Sequence, residues 1–76
     1  MAASNTLTNL SVVVPAYNEA LRLPATLEEI GKFVDESTGT IEVLLVDDGS
    51  TDSTSEIMQD WCTYRKYARK IRISHS

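Results

Sequence analysis

The sequence predicts an α/β domain built on a parallel sheet, and three observations carry that reading. Short runs rich in apolar, β-branched residues recur at Leu10–Val14, Ile41–Val46 and Ile71–Ile73. An apolar stripe with helical spacing lies in each interval between them. The runs also lack the strict alternation of strands with one wet face, so strands covered on both faces are expected. Strands alternating with helices favour parallel neighbours joined by crossovers. In such sheets ligands bind beyond the carboxyl ends of the strands.

Taken in order, residues 1–9 are small and polar and read as a flexible lead-in, with the folded unit spanning 10–76. Leu10–Val14 is the first strand, and Pro15 is expected to end it because proline cannot donate to a ladder. The polar loop AYNEALRLP follows. Pro24 suits the first turn of a helix, and Leu23, Leu27, Ile30 and Val34 fall on one helical face. Glu28 and Glu29 are expected near the helix start, where the dipole favours negative charge. DESTGT at 35–40 reads as a turn. Ile41–Val46 is the second strand, and the loop DDGSTDS follows it. Ser53 with Glu56 fits a capping box, so a second helix should start there. Its apolar side is Ile57, Met58, Trp61, Cys62 and Tyr64, read as core. Ile71–Ile73 begins a third strand.

Bulk properties exclude several function classes. All eleven acids lie in residues 1–64, beside only Arg22 and Lys32, whereas residues 65–76 carry five basic residues. The basic cluster reads as a solvated helix end and turn rather than a nucleic-acid surface. With one cysteine, Cys62, no internal disulfide can form, and one distant histidine, His75, cannot complete a Cys/His zinc cluster. The N-terminus lacks the basic flank and apolar core of a signal peptide. No run approaches the length of a membrane span. The expected location is the cytoplasm or the cytoplasmic face of a membrane.

The functional signal is VLLVDDGSTDS, an apolar strand ending in two adjacent carboxylates, Asp47 and Asp48. Such a pair suits Mg²⁺ together with phosphates, or it accepts hydrogen bonds from a polar ligand such as a base edge. It also suits plain turn chemistry, one aspartate capping the turn and the other solvated. Sharper templates fail: an EF-hand loop would need glycine where Ser53 stands, and there is no GxGxxG, P-loop or GxSxG. The two polar loops, PAYNE and DDGSTD, are about thirty residues apart, a normal spacing for one βαβ unit, and should share one rim.

Together, SVVVPAYNEALRLPATLEEI and IEVLLVDDGSTDST resemble the start of a family 2 glycosyltransferase. The RLP variant is similar to the branch acting on polyprenyl or dolichyl phosphates. The resemblance implies a Rossmann-like βαβαβ half of a GT-A fold and a UDP- or GDP-sugar as partner. It implies that Pro15, Ala16 and Tyr17 pack against the base, with Tyr17 as stacking platform. Glu19 falls near ribose and base, Asp48 reads the base edge, and Asp47 shapes the pocket beside it. The family's Mg²⁺ or Mn²⁺ is held by a later DxD motif, and a later carboxylate acts as base. Neither is found in these residues, so the chain is expected to be the nucleotide-recognition part, inactive alone and able to self-associate through an exposed sheet edge. Two rivals stand beside this reading: a non-catalytic interaction module, and a receiver-like phosphoacceptor domain, to which VLLVDDG is similar.

Overall fold

The structure, a computed structural model, describes residues 8–73. It is α/β, in the order β1 (Thr8–Ala16), α1 (Leu23–Glu36), β2 (Gly39–Asp47), α2 (Thr54–Thr63) and β3 (Ala68–Arg72). The three strands form one sheet in the order β1-β2-β3, and both pairings are parallel. This is the expected Rossmann-like βαβαβ arrangement, with β2 central and an edge strand on each side. β1 opens at Thr8, inside the expected lead-in; residues 1–7 and the end of the basic segment, 74–76, lie outside the described residues.

Pro15 does not end the first strand, which continues to Ala16 and pairs Pro15 with Val46. Ala16 turns its carbonyl toward β2, accepting from Asp48 N–H at 3.0 Å. The alternating residue Pro15 therefore turns its nitrogen outward, where an edge strand needs no donor. The third strand begins three residues earlier than its apolar letters suggest. ARKIR lies beside Val43–Asp47, with Ala68 buried under the helices. Arg69, Lys70 and Arg72 are thus edge-strand residues, not a helix end, and only Arg65 and Lys66 follow α2 directly. Cations along an edge are a common guard against stray strand pairing.

The core lies on one face of the sheet. Leu23 and Leu27 of α1 and Met58 of α2 are buried against Ile41, Val43 and Leu45 of β2, together with Ala16 and Ala68. Ile30 and Val34 complete the α1 stripe at its margin. The two helices run past one another: a Cβ added at Gly31 would lie 3.9 Å from the Trp61 ring. Trp61 meets Tyr67 edge-on at 5.9 Å and carries the Arg65 guanidinium 4.4 Å above its ring. Tyr64, expected in this cluster, is instead exposed at the end of α2.

The opposite face departs from the expectation of two covered faces. Register sets Val13 beside Leu44, and Pro15 and Ile71 on either side of Val46. Val13 is 57% exposed and Ile71 47%, whereas Leu45 of the other face is 0% exposed. On the same open face Glu42 accepts from Ser11 Oγ at 2.8 Å and lies 3.7 Å from Arg69.

The helix starts also differ in detail. α1 begins at Leu23, with Pro24 in its first turn as expected, so Glu28 and Glu29 fall past the first turn. Ser53 occupies the N-cap position of α2 but makes no side-chain cap bond. Asp52 does this work, accepting from Thr54 N–H at 2.9 Å. The reason is tertiary: the neighbouring loop also uses Asp52, as described next.

Candidate functional site

The two polar loops meet at the carboxyl end of the sheet. The first leaves β1 at Ala16 and tightens into α1, where the Arg22 and Leu23 amides both donate to Glu19 O, at 3.0 and 2.8 Å. Asn18 at its apex has φ 50°, a left-handed conformation that asparagine tolerates better than most residues. The second leaves β2 at Asp47 and turns on Gly49, whose φ of 79° suits glycine.

Side chains of each loop satisfy the backbone of the other. Asn18 N–H donates to Ser50 Oγ at 2.9 Å, Glu19 N–H to Thr54 Oγ1 at 2.8 Å, and Ala20 N–H to Asp52 Oδ2 at 3.3 Å. In return, Asn18 Oδ1 accepts from Thr51 N–H at 2.8 Å and Asp52 N–H at 3.4 Å. Thr54, fully buried, donates its hydroxyl to Asp52 Oδ1 while accepting from Glu19. Asp52 is held below the usual carboxylate range, chiefly by that Thr54 hydroxyl. The loops are one hydrogen-bonded body, so whatever places one places the other.

Along this body runs an open cleft of about 360 Å³, lined by Pro15, Ala16, Tyr17, Glu19 and Asp48. Tyr17 is 53% exposed at its lip. Pro15, Ala16 and Glu19 continue into a hollow of about 230 Å³ that also reaches Arg22 and Thr26. Five of the six residues singled out from the sequence thus border one cleft. The sixth, Asp47, lies behind it.

The adjacent aspartates have separate environments. Asp48 is half-buried on the cleft wall, its amide tied to β1. Asp47 is 0% exposed. Its Oδ1 accepts from Ser50 N–H at 3.0 Å, and its Oδ2 from Arg72 Nη1 at 2.7 Å. Burial pushes its carboxyl pKa up, but the Ser50 hydroxyl and amide and the Arg72 charge outweigh burial, and the net direction is down. A carboxylate so engaged stays ionised and holds the turn.

Members of the resembled family generally use a divalent metal, which needs several oxygen ligands converging on one point. Among the described residues no three His, Cys, Asp or Glu side chains converge as a metal site. Asp47, the nearest acid to Asp48 in sequence, has both oxygens engaged by Ser50 and Arg72. The pair does not fit a metal centre by itself.

Sequence reasoning singled out none of Asn18, Ser50, Thr51, Asp52, Thr54 or Arg72 for this site. The hydroxyl-rich letters DDGSTDST signalled a turn; their partners in the first loop lie more than thirty residues away, and nothing local reveals them. Arg72 was hidden in a basic run that reads as solvated.

The profile of "Glycosyl transferase family 2" matches residues 11–76. A dolichyl-phosphate beta-glucosyltransferase of Mus musculus is 43% identical over 70 residues, covering 84% of this chain and 21% of that protein. The Dictyostelium discoideum protein of the same name is 42% identical over 57 residues, covering 68% and 17%. An undecaprenyl-phosphate 4-deoxy-4-formamido-L-arabinose transferase of Aeromonas hydrophila is 43% identical over 51 residues, covering 67% and 16%. The chain spans about a fifth of the length of these curated relatives.

Proposed function

The chain belongs to glycosyl transferase family 2, and from that premise we propose that its rim cleft receives the nucleoside of a UDP- or GDP-sugar. One observation carries this: Tyr17 and Asp48, from loops that follow different strands, line the same cleft. Tyr17 offers an exposed ring on which a base can stack, a contact worth about 1–3 kcal/mol per base. Asp48 offers a carboxylate to the base edge, where a charged acceptor makes the stronger hydrogen bonds. Pro15 and Ala16 line the cleft beside them, and Glu19 is assigned to the ribose. Asp47 acts from behind by holding the turn.

The transfer served is that of a sugar from the nucleoside diphosphate to an acceptor. The names of the relatives favour a polyprenyl phosphate, met at the cytoplasmic face of a membrane. Among the described residues no helix is long and apolar enough to cross one. The Mg²⁺ or Mn²⁺ that would stabilise the leaving diphosphate, and the base for an alcohol acceptor, call for residues other than those of this cleft. Residues 10–76 act as a donor-binding subdomain that by itself transfers no sugar, and the outer edge of β3 near the exposed Ile71 and Ile73 offers a route to self-association despite the cations beside it. The receiver reading lapses with the family assignment.

Titration with UDP and with GDP, followed by amide NMR, tests the proposal. Saturable shifts at Tyr17 and Asp48 with one nucleotide are expected, weakened about tenfold in Tyr17→Ala, the scale of one lost stacking contact. Absence of change at both positions with both nucleotides refutes it and favours a non-catalytic interaction module.

A further inference from the structure

We propose that Arg72 is a positioning residue of the nucleotide cleft: its guanidinium brackets the turn that presents Asp48. The binding consequence rests on the nucleotide reading above; the bracket itself stands on geometry. Arg72 is the last residue of β3 and pairs in register with Asp47, the last residue of β2. From there Nη1 donates to Asp47 Oδ2 at 2.7 Å and Nη2 to Ser50 O at 3.2 Å. The two contacts fall on the first and fourth residues of the turn Asp47–Ser50, and Asp48 and Gly49 lie between them. Two further bonds close the frame. Asp47 Oδ1 accepts from Ser50 N–H at 3.0 Å, and Asp47 O accepts from Ile73 N–H at 2.8 Å.

The consequence is mechanical. Gly49 at φ 79° gives the turn freedom that must be removed if Asp48 is to face the cleft in one orientation. A planar guanidinium reaches two acceptors at a fixed spacing, which a lysine ammonium cannot reproduce. Ser50 also accepts from Asn18, so a turn fixed by Arg72 fixes the Tyr17 loop through the same residue. β3, which contributes nothing to the cleft lining, thereby enters the site through one side chain.

Arg72→Met and Arg72→Lys, compared with the unsubstituted 76-residue chain, test this by amide exchange, thermal melting and titration with UDP and GDP. In Arg72→Met, the Gly49 and Ser50 amides should exchange faster while those of β2 stay protected. Nucleotide affinity should fall about tenfold, the scale seen when an outer partner that orients a binding group is removed. Arg72→Lys, which keeps the charge beside Asp47, should melt close to the unsubstituted chain yet show the same loosening of Gly49 and Ser50 and an intermediate loss of affinity. Unchanged turn exchange and affinity in both variants overturns the proposal. Faster exchange spread evenly over the sheet also overturns it, because the residue is then a general stabiliser. Should Arg72→Met fail to fold, Arg72→Lys decides by the same readouts. If the unsubstituted chain binds neither nucleotide, the nucleotide reading fails, and turn exchange in the variants alone decides the bracket.

Discussion

The two faces of the sheet are made from adjacent letters of the same strands, yet they differ sharply. On the helix side, Ile41, Val43 and Leu45 are sealed beneath Leu23, Leu27 and Met58. On the other side, Val13 and Ile71 remain about half exposed, with Leu44 and Val46 between them. Both faces carry apolar residues at the centre of the sheet, although the open face also carries Ser11, Glu42 and Arg69; the helices, more than hydrophobicity, separate the two. Stability therefore comes from one layer and from the laced rim at its end. The second face contributes little unless something covers it, and parallel sheets are usually covered on both faces.

Substitutions can break or sharpen this contrast. Leu45→Ala should have the largest effect, a loss of about 3 kcal/mol, because it opens a cavity in the sealed layer. Chemical denaturation would show it as a lower midpoint at constant slope. Asp47→Asn should follow at about 2 kcal/mol, since it removes a buried charge facing a half-exposed arginine. The same residue gives the contrast a pH signature. Its carboxyl pKa is lower in the fold than in the unfolded chain, so its contribution is fully present above the unfolded pKa of about 3.9. That contribution is lost as pH falls through the lower folded value. An acid titration of the melting temperature should be steeper for the unsubstituted chain than for Asp47→Asn in that window.

Thr54→Val should cost about 1–2 kcal/mol while leaving the shape intact, because Glu19 N–H then loses its acceptor and Asp52 one of its three donors. The Glu19 amide should report this as faster exchange. Val13→Ser should come last, within about 0.5 kcal/mol, as for most exposed positions. If Val13→Ser instead costs as much as Leu45→Ala, the open face is buried in solution. A concentration-dependent melting temperature would then identify a second copy as its cover.

The rim and the strands were not equally legible in the sequence. Leu23, Leu27, Ile30 and Val34 announce α1 because helical periodicity is local. VPAYNE and VDDGSTDST announce the two loops, and the alternation of strands and helices places them on one edge. The ends of elements were misread wherever a distant partner set them. Pro15 belongs to β1 because β1 is an edge strand, and β3 starts at Ala68 because β2 offers a ladder there despite the charged letters. Ser53 yields its cap role to Asp52 because the first loop draws on the same carboxylate.

The sequence by itself determined the class of fold, because periodicity is a property of neighbouring letters, and through its resemblance to a known family it pointed to the two loops that border the cleft. Only the tertiary structure decided which face of the sheet is sealed and how the twin aspartates divide, Asp48 on the cleft wall and Asp47 behind it. It alone showed that Asn18 and Thr54 lace the two loops together and that Arg72 meets both Asp47 and Ser50. The physical reason is that a hydrogen bond between residues more than twenty positions apart depends on chain path and register. Neither is written in any single stretch of the chain.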